Sequence, residues 1–355
     1  MRKLLLSVFI LFAVVLKAQK KTGEFILNGI IENPQTSHLY LRYTNNEGVS
    51  ILDSAAIQNG QFQFRGHINE PTLAIFKANK QIIPDDENLN IISFYLEPVT
   101  MEVNVTYNEF LKAKFTGSKT QNETKLLGRY CDTIKSNSPT KFESYSNATR
   151  AFIRDHPGSF VSLSNLNGYK GWWPIDSVIS LFNILSPTFK GTHTGVELST
   201  FIRKKMETAV GTTAGLFRTV DVNGKTVNLE HFRGKYVLLD FWGSWCAPCR
   251  EGMPHMKEVY KKYKDRRLAV IAVAHENDES DKPWKEAIAK DATQMFIHVR
   301  SELKNDPVYK KISDQYFVTS FPTKFLIDPS GKIIGKYLGS DDDSKLDQKL
   351  VELFP

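Results

Sequence analysis

The stretch that decides the fold runs from Tyr236 to Arg250 and reads YVLLDFWGSWCAPCR. Its first seven residues are apolar except for Asp240, which is typical of a strand buried on both faces. Two cysteines three positions apart follow, and Pro248 lies between them where a helix can begin, because the missing proline N–H costs little in a first turn. The stretch therefore predicts a buried strand that leads a cysteine pair into a helix from about residue 248 to 265.

Cys246 and Cys249 are the candidate catalytic residues. The positive end of a helix favours a thiolate over a thiol, so Cys246 is predicted to lie exposed at the helix start and to act as the nucleophile. Cys249 lies one turn later, within reach of a mixed disulfide formed on Cys246, and is predicted to resolve it. The redox group would then be the Cys246–Cys249 disulfide itself, with no separate cofactor.

Asp240 is a charged residue in an otherwise apolar strand, six residues before Cys246. Burial at this position would raise the pKa of its carboxyl group, which could then accept a proton from Cys249. An ion pair with a nearby lysine or arginine explains the residue equally well. The residues alone leave both interpretations open.

The remaining metal-binding residue types do not form a predicted metal site. Zinc normally takes four ligands, and the chain has no second Cys-x-x-Cys and no histidine pair at suitable spacing. His255 lies between Met253 and Met256, a pattern that indicates packing rather than copper binding. Cys131, the third cysteine, is predicted to be a buried, inert thiol in a helical segment.

The pattern along the chain predicts several domains. Residues 19–117 alternate apolar and polar positions in short runs, which predicts a β-rich domain, either an antiparallel β-sandwich or an open barrel. Residues 118–210 have a helical period broken by prolines, and residues 211–355 alternate strands with helices, as in an α/β fold. Glu276, after a predicted strand, could supply an active-site acid, but an acidic surface loop that runs to Asp281 is the favoured interpretation.

The N-terminus predicts export. Arg2 and Lys3 precede an apolar run that ends near Ala18, as in a signal peptide over residues 1–18, with an uncleaved anchor as the less favoured alternative. Localisation in the periplasm or cell envelope is expected. The formal charge of +7 comes from 46 basic and 39 acidic residues, and without the three basic residues of this segment it falls to +4. Nucleic acid is therefore not an expected partner.

The motif from Trp245 to Cys249, its preceding strand and the Phe321-Pro322-Thr323 stretch resemble the thioredoxin superfamily, in particular its TlpA/ResA-like extracytoplasmic branch. The resemblance implies a thioredoxin fold over residues 211–355 with a cis Pro322 facing the cysteine pair. It also implies that Trp245, Phe321 and Pro322 contact substrate, while Ala247 and Pro248 are the motif residues between the cysteines. Residues 19–210 resemble the uncharacterised N-terminal domain of many such proteins.

The chain also departs from that branch. Many members carry a glutamate three residues after the second cysteine, where this chain has Gly252; Glu251, one place earlier, would point elsewhere on a helix and is given no role. Asp240 occupies the position of the buried acid of cytoplasmic thioredoxins, which favours a functional role for it.

The resemblance predicts a thiol-disulfide oxidoreductase of the protein-disulfide reductase type. Its partners would be protein thiol and disulfide substrates in the exported compartment and an electron donor embedded in the membrane. An alternative makes the N-terminal β domain a cell-envelope binding module with an accessory thioredoxin domain. A peroxidase is disfavoured because the Pro-x-x-x-Thr-x-x-Cys pattern is absent from the sequence.

Overall fold

A computed structural model describes residues 23–45, 47–80, 89–134, 140–276, 281–302 and 311–355. The predicted signal peptide, residues 1–18, lies outside the described residues. The chain divides into two compact units, residues 1–197 and 198–355. Among the helices that the structure describes, none combines the length and apolarity needed to cross a membrane.

The first unit begins with strands that form two four-stranded sheets, ordered β4-β1-β7-β8 and β3-β2-β5-β6. The strands are β1 (Glu24–Glu32), β2 (His38–Thr44), β3 (Ser50–Ala56), β4 (Gln61–His67), β5 (Thr72–Lys77), β6 (Ile91–Leu96), β7 (Thr100–Thr106) and β8 (Lys114–Thr116). Alternate residues of these strands are buried, and the buried side chains of both sheets join one core. The N-terminal domain is therefore sandwich-like, as its alternation predicts.

The pairing corrects the expectation of a purely antiparallel domain, because β1 and β7 run parallel. Parallel neighbours need a crossover connection, and here the second sheet lies between them along the chain. The turn between β3 and β4 contains Asn59-Gly60, a residue pair typical of tight hairpin turns. Asn59 and Gly60 both have positive φ angles, 50° and 76°, which suits a two-residue hairpin turn.

Helices follow in the described part of the chain after β8. They are α1 (Lys119–Ile134), α2 (Lys141–Asp155), α3 (Phe160–Tyr169), α4 (Ile175–Ile184), α5 (Pro187–Lys190) and α6 (His193–Glu207). The side chains of Thr140 and Ser159 cap α2 and α3 by accepting backbone N–H bonds. The helical middle region was predicted, although α3 was not, because its Ser, Asn and Gly residues lower helix propensity.

The second unit is built on a five-stranded sheet, ordered β13-β12-β11-β14-β15. Its strands are β9 (Arg218–Val220), β10 (Thr226–Asn228), β11 (Tyr236–Trp242), β12 (Leu268–Ala274), β13 (Ile297–Arg300), β14 (Thr323–Ile327) and β15 (Ile333–Leu338). Its helices are α7 (Ala247–Glu251), α8 (Met253–Tyr263), α9 (Lys282–Lys290), α10 (Ile312–Gln315) and α11 (Asp343–Leu353). β9 and β10 form a separate hairpin, β11, β12 and β13 are parallel, and β14 and β15 are antiparallel to their neighbours.

The sheet is covered on both faces, and alternate residues of β11 divide between them. Val237, Leu239 and Phe241 join the core that includes α10. Leu238 and Trp242 join the opposite core, which contains both cysteines and residues of α8, α9 and α11. Because side chains alternate along a strand, Asp240 lies on this second, cysteine-bearing face.

Two sequence predictions for this unit need correction. The helix predicted from about residue 248 to 265 is divided at Gly252 into α7 and α8, since Pro254 has no N–H to continue the hydrogen-bond ladder. The strand β13 was not predicted. The sequence pattern also favours a helix over residues 308–316. Residues 308–310 lie outside the described residues, and α10 is the part that is described.

Candidate active site

Cys246 and Cys249 form a disulfide at the start of α7. Cys246 is the N-cap residue, and its sulfur accepts a hydrogen bond from the backbone N–H of Cys249 at 3.3 Å. The strand β11 ends four residues earlier, so strand, turn and helix occur in the predicted order. Ala247 and Pro248, between the cysteines, are exposed.

Cys246 was expected to be exposed, and this is wrong for the disulfide form, in which only 5% of the residue is accessible. Cys249 is 4% accessible. Both cysteines belong to the apolar core on their face of the sheet, together with Met253 of α8, and Phe321 packs against the same core. Bonding to Cys249 holds the Cys246 side chain against this core.

The turn before the cysteines is held by the residues that follow β12. Ser244 donates two hydrogen bonds to Glu276, from its backbone N–H at 2.9 Å and from its hydroxyl at 2.6 Å. The indole N–H of Trp245 donates to the backbone carbonyl of His275 at 2.9 Å. Three hydrogen bonds therefore connect the turn to the segment after β12. The segment's two residues lie 30 to 32 positions later in the sequence than their partners in the turn.

Glu276 is 7% accessible, so the expectation of an acidic surface loop is wrong for this residue. Burial of a carboxylate is tolerated when its oxygens accept hydrogen bonds, as both do here. The sequence signal that could have found it was its place directly after a buried parallel strand next to β11. The acidic residues that follow it in the sequence concealed that signal.

The peptide bond between Phe321 and Pro322 is cis, as the resemblance predicts. Pro322 is buried and Phe321 is partly exposed. The Phe321 ring contacts Trp245 edge-to-face with centroids 5.6 Å apart, and it lies 5.4 Å from the ring of His275. The structure thus brings Phe321, which precedes the cis proline, into contact with Trp245 and His275 and against the core that holds both cysteines.

Asp240 is 2% accessible and has a lysine as its direct neighbour on β14. Burial raises the pKa of its carboxyl group to about 6; the charge of Lys324 opposes this rise and that of Asp343 adds to it. Lys324, itself 3% accessible, forms an ion pair with Asp343 at 2.7 Å. Asp240 is therefore a desolvated acid, as one sequence interpretation holds, whereas the ion pair of the other interpretation is formed by Lys324 with Asp343 and not with Asp240.

Arg250 fixes α7 to the end of α9. Its guanidinium donates two bonds to Asp291, from Nε at 2.8 Å and from Nη2 at 2.7 Å, and Lys257 donates to the carbonyl of the same residue. Two parallel bonds between guanidinium and carboxylate define orientation as well as distance. Glu251, the next residue, is exposed and takes no part in the site.

The residues considered for metal binding have other contacts. Met253 and Met256 are each 1% accessible in the core, and His255 lies 3.0 Å from Asp347 and 3.6 Å from Asp343. Within the described ranges, no group of three or more His, Cys, Asp or Glu residues could hold a metal ion. Cys131 is buried in α1, as predicted, and is not part of the disulfide.

Comparison with known proteins gives matches in both parts of the chain. Residues 210–336 match the AhpC/TSA family, and residues 25–124 match a domain of unknown function, DUF4369. Thiol-disulfide oxidoreductase ResA of Bacillus thuringiensis (strain Al Hakam) is 32% identical over 155 residues, which are 44% of this chain and 84% of that protein. The chain belongs to the ResA family of thiol-disulfide oxidoreductases.

Further relatives of this ResA-family chain are similar over comparable lengths. ResA of Bacillus subtilis (strain 168) is 32% identical over 140 residues, 38% of this chain and 71% of that protein. Among solved structures, the thioredoxin domain of a thiol-disulfide oxidoreductase from Bacteroides vulgatus is 35% identical, with a TM-score of 0.36, covering 40% of this chain and 98% of that one. By its relation to ResA the chain is an enzyme of thiol-disulfide exchange. Its C-terminal sheet, with the disulfide and the cis proline, is thioredoxin-like, and its N-terminal domain is uncharacterised.

Proposed function

We propose that this enzyme reduces disulfide bonds in exported proteins, with Cys246 as the nucleophile and Cys249 as the resolving cysteine. The observation that carries the proposal is the disulfide between Cys246 and Cys249 at the start of α7, with Asp240 buried on the same face of the sheet. This is the oxidised form that a reductase reaches after one turnover.

The reaction consists of two exchanges. In the reduced enzyme, the Cys246 thiolate attacks a substrate disulfide, forming a mixed disulfide and releasing one substrate thiolate, which takes a proton from water. Cys249 then gives up its proton and attacks the Cys246 sulfur, so the Cys246–Cys249 bond forms and the mixed disulfide breaks. The second substrate thiolate leaves with the bonding electrons and takes a proton from water, so the substrate has gained two electrons and two protons.

Asp240 supports the second exchange as a proton acceptor. A carboxyl group with a pKa raised to about 6 by burial is mostly ionised at pH 7, and it binds a proton more strongly than an ordinary aspartate does. Asp240 is the carboxylate of β11 on the face that holds both sulfurs, since Leu238 and Trp242 on either side of it belong to the same core as the cysteines. We propose that it takes the proton of Cys249.

The exposed rim beside the disulfide supports a role in binding substrate. Trp245 is 49% accessible and contacts Phe321, which precedes the cis proline. Two aromatic side chains at the edge of a site offer apolar contact area at low entropic cost. We propose that Trp245, Phe321 and Pro322 contact the polypeptide on either side of the substrate cysteine.

Residues 1–18 support export as a signal peptide, and we propose that the enzyme works in the periplasm or cell envelope. An oxidised Cys246–Cys249 pair must be reduced again, and a donor in the membrane could supply the electrons there. Within the mature chain we propose a β-rich domain over 19–117, a helical region over 118–210 and the thioredoxin-like domain over 211–355. Determination of the N-terminal residue of protein recovered from the cell envelope tests the export step: Gln19 supports cleavage after Ala18, and recovery of uncleaved protein from the cytoplasm contradicts it.

The central test joins a redox titration to trapping. The full chain is equilibrated with thiol-disulfide buffers and should titrate as one two-electron couple, with a tenfold change in the equilibrium constant for about every 30 mV. Cys249→Ser, expressed in the native host, should accumulate mixed disulfides on Cys246. The matched control is the Cys246→Ser, Cys249→Ser double variant, which retains buried Cys131; equal trapping by this control, or absence of a two-electron couple, overturns the proposal.

The same titration tests the direction of electron flow. A potential near about −270 mV is typical of a reductant, whereas one near about −120 mV is typical of an oxidant. We expect a value at the reducing end, together with accumulation of the reduced enzyme in cells. A value at the oxidising end contradicts the reductase assignment and leaves the exchange chemistry intact.

A further inference from the structure

A row of buried side chains crosses the sheet through Asp240. In strand register, His298 pairs with Ala272, Ala272 with Asp240, Asp240 with Lys324, and Lys324 with Tyr337. Residues paired across neighbouring strands project to the same side of a sheet, with Cβ atoms about 4.5–5.5 Å apart. Asp240 therefore has the positive charge of a buried lysine as its immediate neighbour.

Lys324 forms an ion pair with a carboxylate other than that of Asp240. Its ammonium group lies 2.7 Å from Asp343, the first residue of α11, and only 3% of the lysine side chain is accessible. Among the described residues, Oδ1 of Asp240 is buried without a hydrogen-bond partner. One lysine thus stands between two carboxylates, Asp343 by direct contact and Asp240 by its place on the adjacent strand.

We propose that Lys324 and Asp343 together set the charge state of Asp240, Lys324 favouring the carboxylate and Asp343 opposing it, and thereby control when Asp240 accepts the Cys249 proton. The role in proton transfer rests on the proposed function; the control of charge does not. Lys324 and Asp343 act through Asp240 and are positioning residues. The directions in which they influence the pKa of Asp240, downward for Lys324 and upward for Asp343, agree with this arrangement.

The other strands of the row place no competing charge beside Asp240. Ala272 on β12 is uncharged. His298 on β13 faces the carbonyl of Thr293 at 2.8 Å, and its pKa is lowered by burial, so it is neutral at pH 7. On β15, burial raises the pKa of Tyr337 to about 12, so the phenol is also neutral there.

The helices on this face bring two further titratable groups. Asp342 precedes α11, and its pKa is lowered chiefly by a hydrogen bond from Lys345 and in small part by the charge of Lys324. His255 of α8 lies 3.6 Å from Asp343 and 3.0 Å from Asp347. On α7, the charge of Arg250 is taken up by Asp291, and the cysteines are joined as the disulfide.

The test measures the titration of Asp240 directly in the oxidised full-length enzyme, in which no thiol chemistry takes place. The side-chain carboxyl carbon of aspartate is labelled with ¹³C and followed by NMR from pH 4 to 9, and the Asp240 signal is assigned by its loss in Asp240→Asn. Lys324→Met should raise the midpoint by about 1–3 pH units, the range typical of losing an adjacent opposite charge. Asp343→Asn should lower it by about one unit.

Two further variants separate charge from packing. Lys324→Arg keeps the positive charge and should leave the midpoint near that of the unaltered enzyme. Lys336→Met removes another partly buried lysine of the same sheet, but its ammonium lies over the ring of Phe325, which belongs to the opposite core. This matched control should not move the Asp240 midpoint.

The kinetic consequence is measured with reduced enzyme and the aromatic disulfide 5,5′-dithiobis(2-nitrobenzoate). Cys246 releases the first thionitrobenzoate and Cys249 the second, so the second release reports resolution. The rate of the second release at pH 7 should fall severalfold in Lys324→Met and should not fall in Lys336→Met. As the pH is lowered, this rate should decrease around the midpoint that NMR gives for Asp240.

The outcomes distinguish this inference from the proposed function. Midpoints that move in opposite directions in Lys324→Met and Asp343→Asn support the control of charge, and midpoints that move together or stay fixed overturn it. If Lys324→Met does not fold, a downward shift in Asp343→Asn still supports the inference and a fixed or raised midpoint overturns it. NMR shifts without any change in the second release would retain the charge control and contradict proton acceptance by Asp240.

Discussion

Glu276 accepts hydrogen bonds from the backbone N–H and the hydroxyl of Ser244, at 2.9 and 2.6 Å. Ser244 lies two residues before Cys246. The carboxylate comes from the end of β12 and the serine from the end of β11, which are neighbouring parallel strands. Ends of parallel strands meet at one edge of a sheet, where α/β folds place their functional loops. The position of Cys246, the proposed nucleophile, thus depends on a contact between two strands as well as on its own turn.

We expect Glu276→Ala to loosen this turn. Loss of both bonds to a buried carboxylate should lower the free energy of unfolding by about 1.5–3 kcal/mol, measured by urea denaturation of the oxidised enzyme. Because small displacements of reacting groups cost about 10²-fold in rate, kcat/KM for disulfide reduction should fall by about 10- to 100-fold. Ser244→Ala, which removes only the hydroxyl donor, should have a smaller effect on both rate and stability. Unaltered rate and stability in Glu276→Ala would show that these hydrogen bonds do not hold the turn.

Asp240 should make stability depend on pH between about 4 and 6. The pKa of its carboxyl group rises from 3.8 to about 6 in the folded enzyme, so the folded state keeps a proton that the unfolded chain loses. The stabilisation is complete below pH 4 and is lost as the pH rises through 6; a difference of two pH units corresponds to about 3 kcal/mol. Asp240→Asn should therefore lose this slope and be more stable than the unaltered enzyme at pH 7.

Urea denaturation of the oxidised enzyme at each pH from 3.5 to 7.5 measures this slope. Asp265→Asn, a change at an exposed position of the same unit, serves as the control and should leave the curve unchanged. Parallel curves for Asp240→Asn and the unaltered enzyme would contradict the raised pKa.

The strands that could be predicted from the sequence are those with long apolar runs. β11 was predicted with its observed bounds, Tyr236–Trp242, because burial on both faces leaves an almost continuous hydrophobic run. β13 was missed because its four residues include His298 and Arg300, which do not resemble a buried strand. Each is accommodated by a partner elsewhere in the fold: the carbonyl of Thr293 for His298 and the carboxylate of Asp281 for Arg300.

In the candidate site, too, residues that a local pattern encodes could be predicted, and residues that depend on distant partners could not. The cysteine pair and Pro322 could be found because local motifs encode them. Lys324 could not, since it meets Asp240 only through the register of β11 and β14. Glu276 follows a buried strand, which is a signal for a site residue, but the acidic residues after it favoured a surface loop. An acid in an apolar strand predicts that a partner exists without saying which lysine it is.

The pair of bonds between Arg250 and Asp291 should stabilise the second unit more than an exposed ion pair does. The two side chains are 27% and 14% accessible, and the guanidinium bonds both carboxylate oxygens. Arg250→Lys cannot reproduce this geometry and should lower the free energy of unfolding by about 1–2 kcal/mol. A double-mutant cycle with Asp291→Asn measures the coupling; the exposed pair Arg203–Glu207 should give at most about 0.5 kcal/mol, and equal coupling in both pairs would contradict the assignment.

Phe76 offers a test of whether the N-terminal β domain contributes to thiol chemistry. Its ring is fully buried and stacks on Phe62 and Phe110 at 5.4 and 5.2 Å. Phe76→Ala should destabilise the first unit by about 3–5 kcal/mol, seen by calorimetry as a lower melting temperature of one transition. Because Cys246, Cys249 and Asp240 all lie in residues 198–355, we expect the rate of insulin reduction at 25 °C to remain within twofold.

The matched change in the second unit is Leu238→Ala, which leaves a cavity in the core that contains the cysteines. It should lower the melting temperature of the other transition and reduce the rate of insulin reduction. Because one variant disturbs each core, the pair separates general destabilisation from a specific effect on the site. A reductase rate that falls as steeply in Phe76→Ala as in Leu238→Ala would mean that the β domain is required for the exchange chemistry itself.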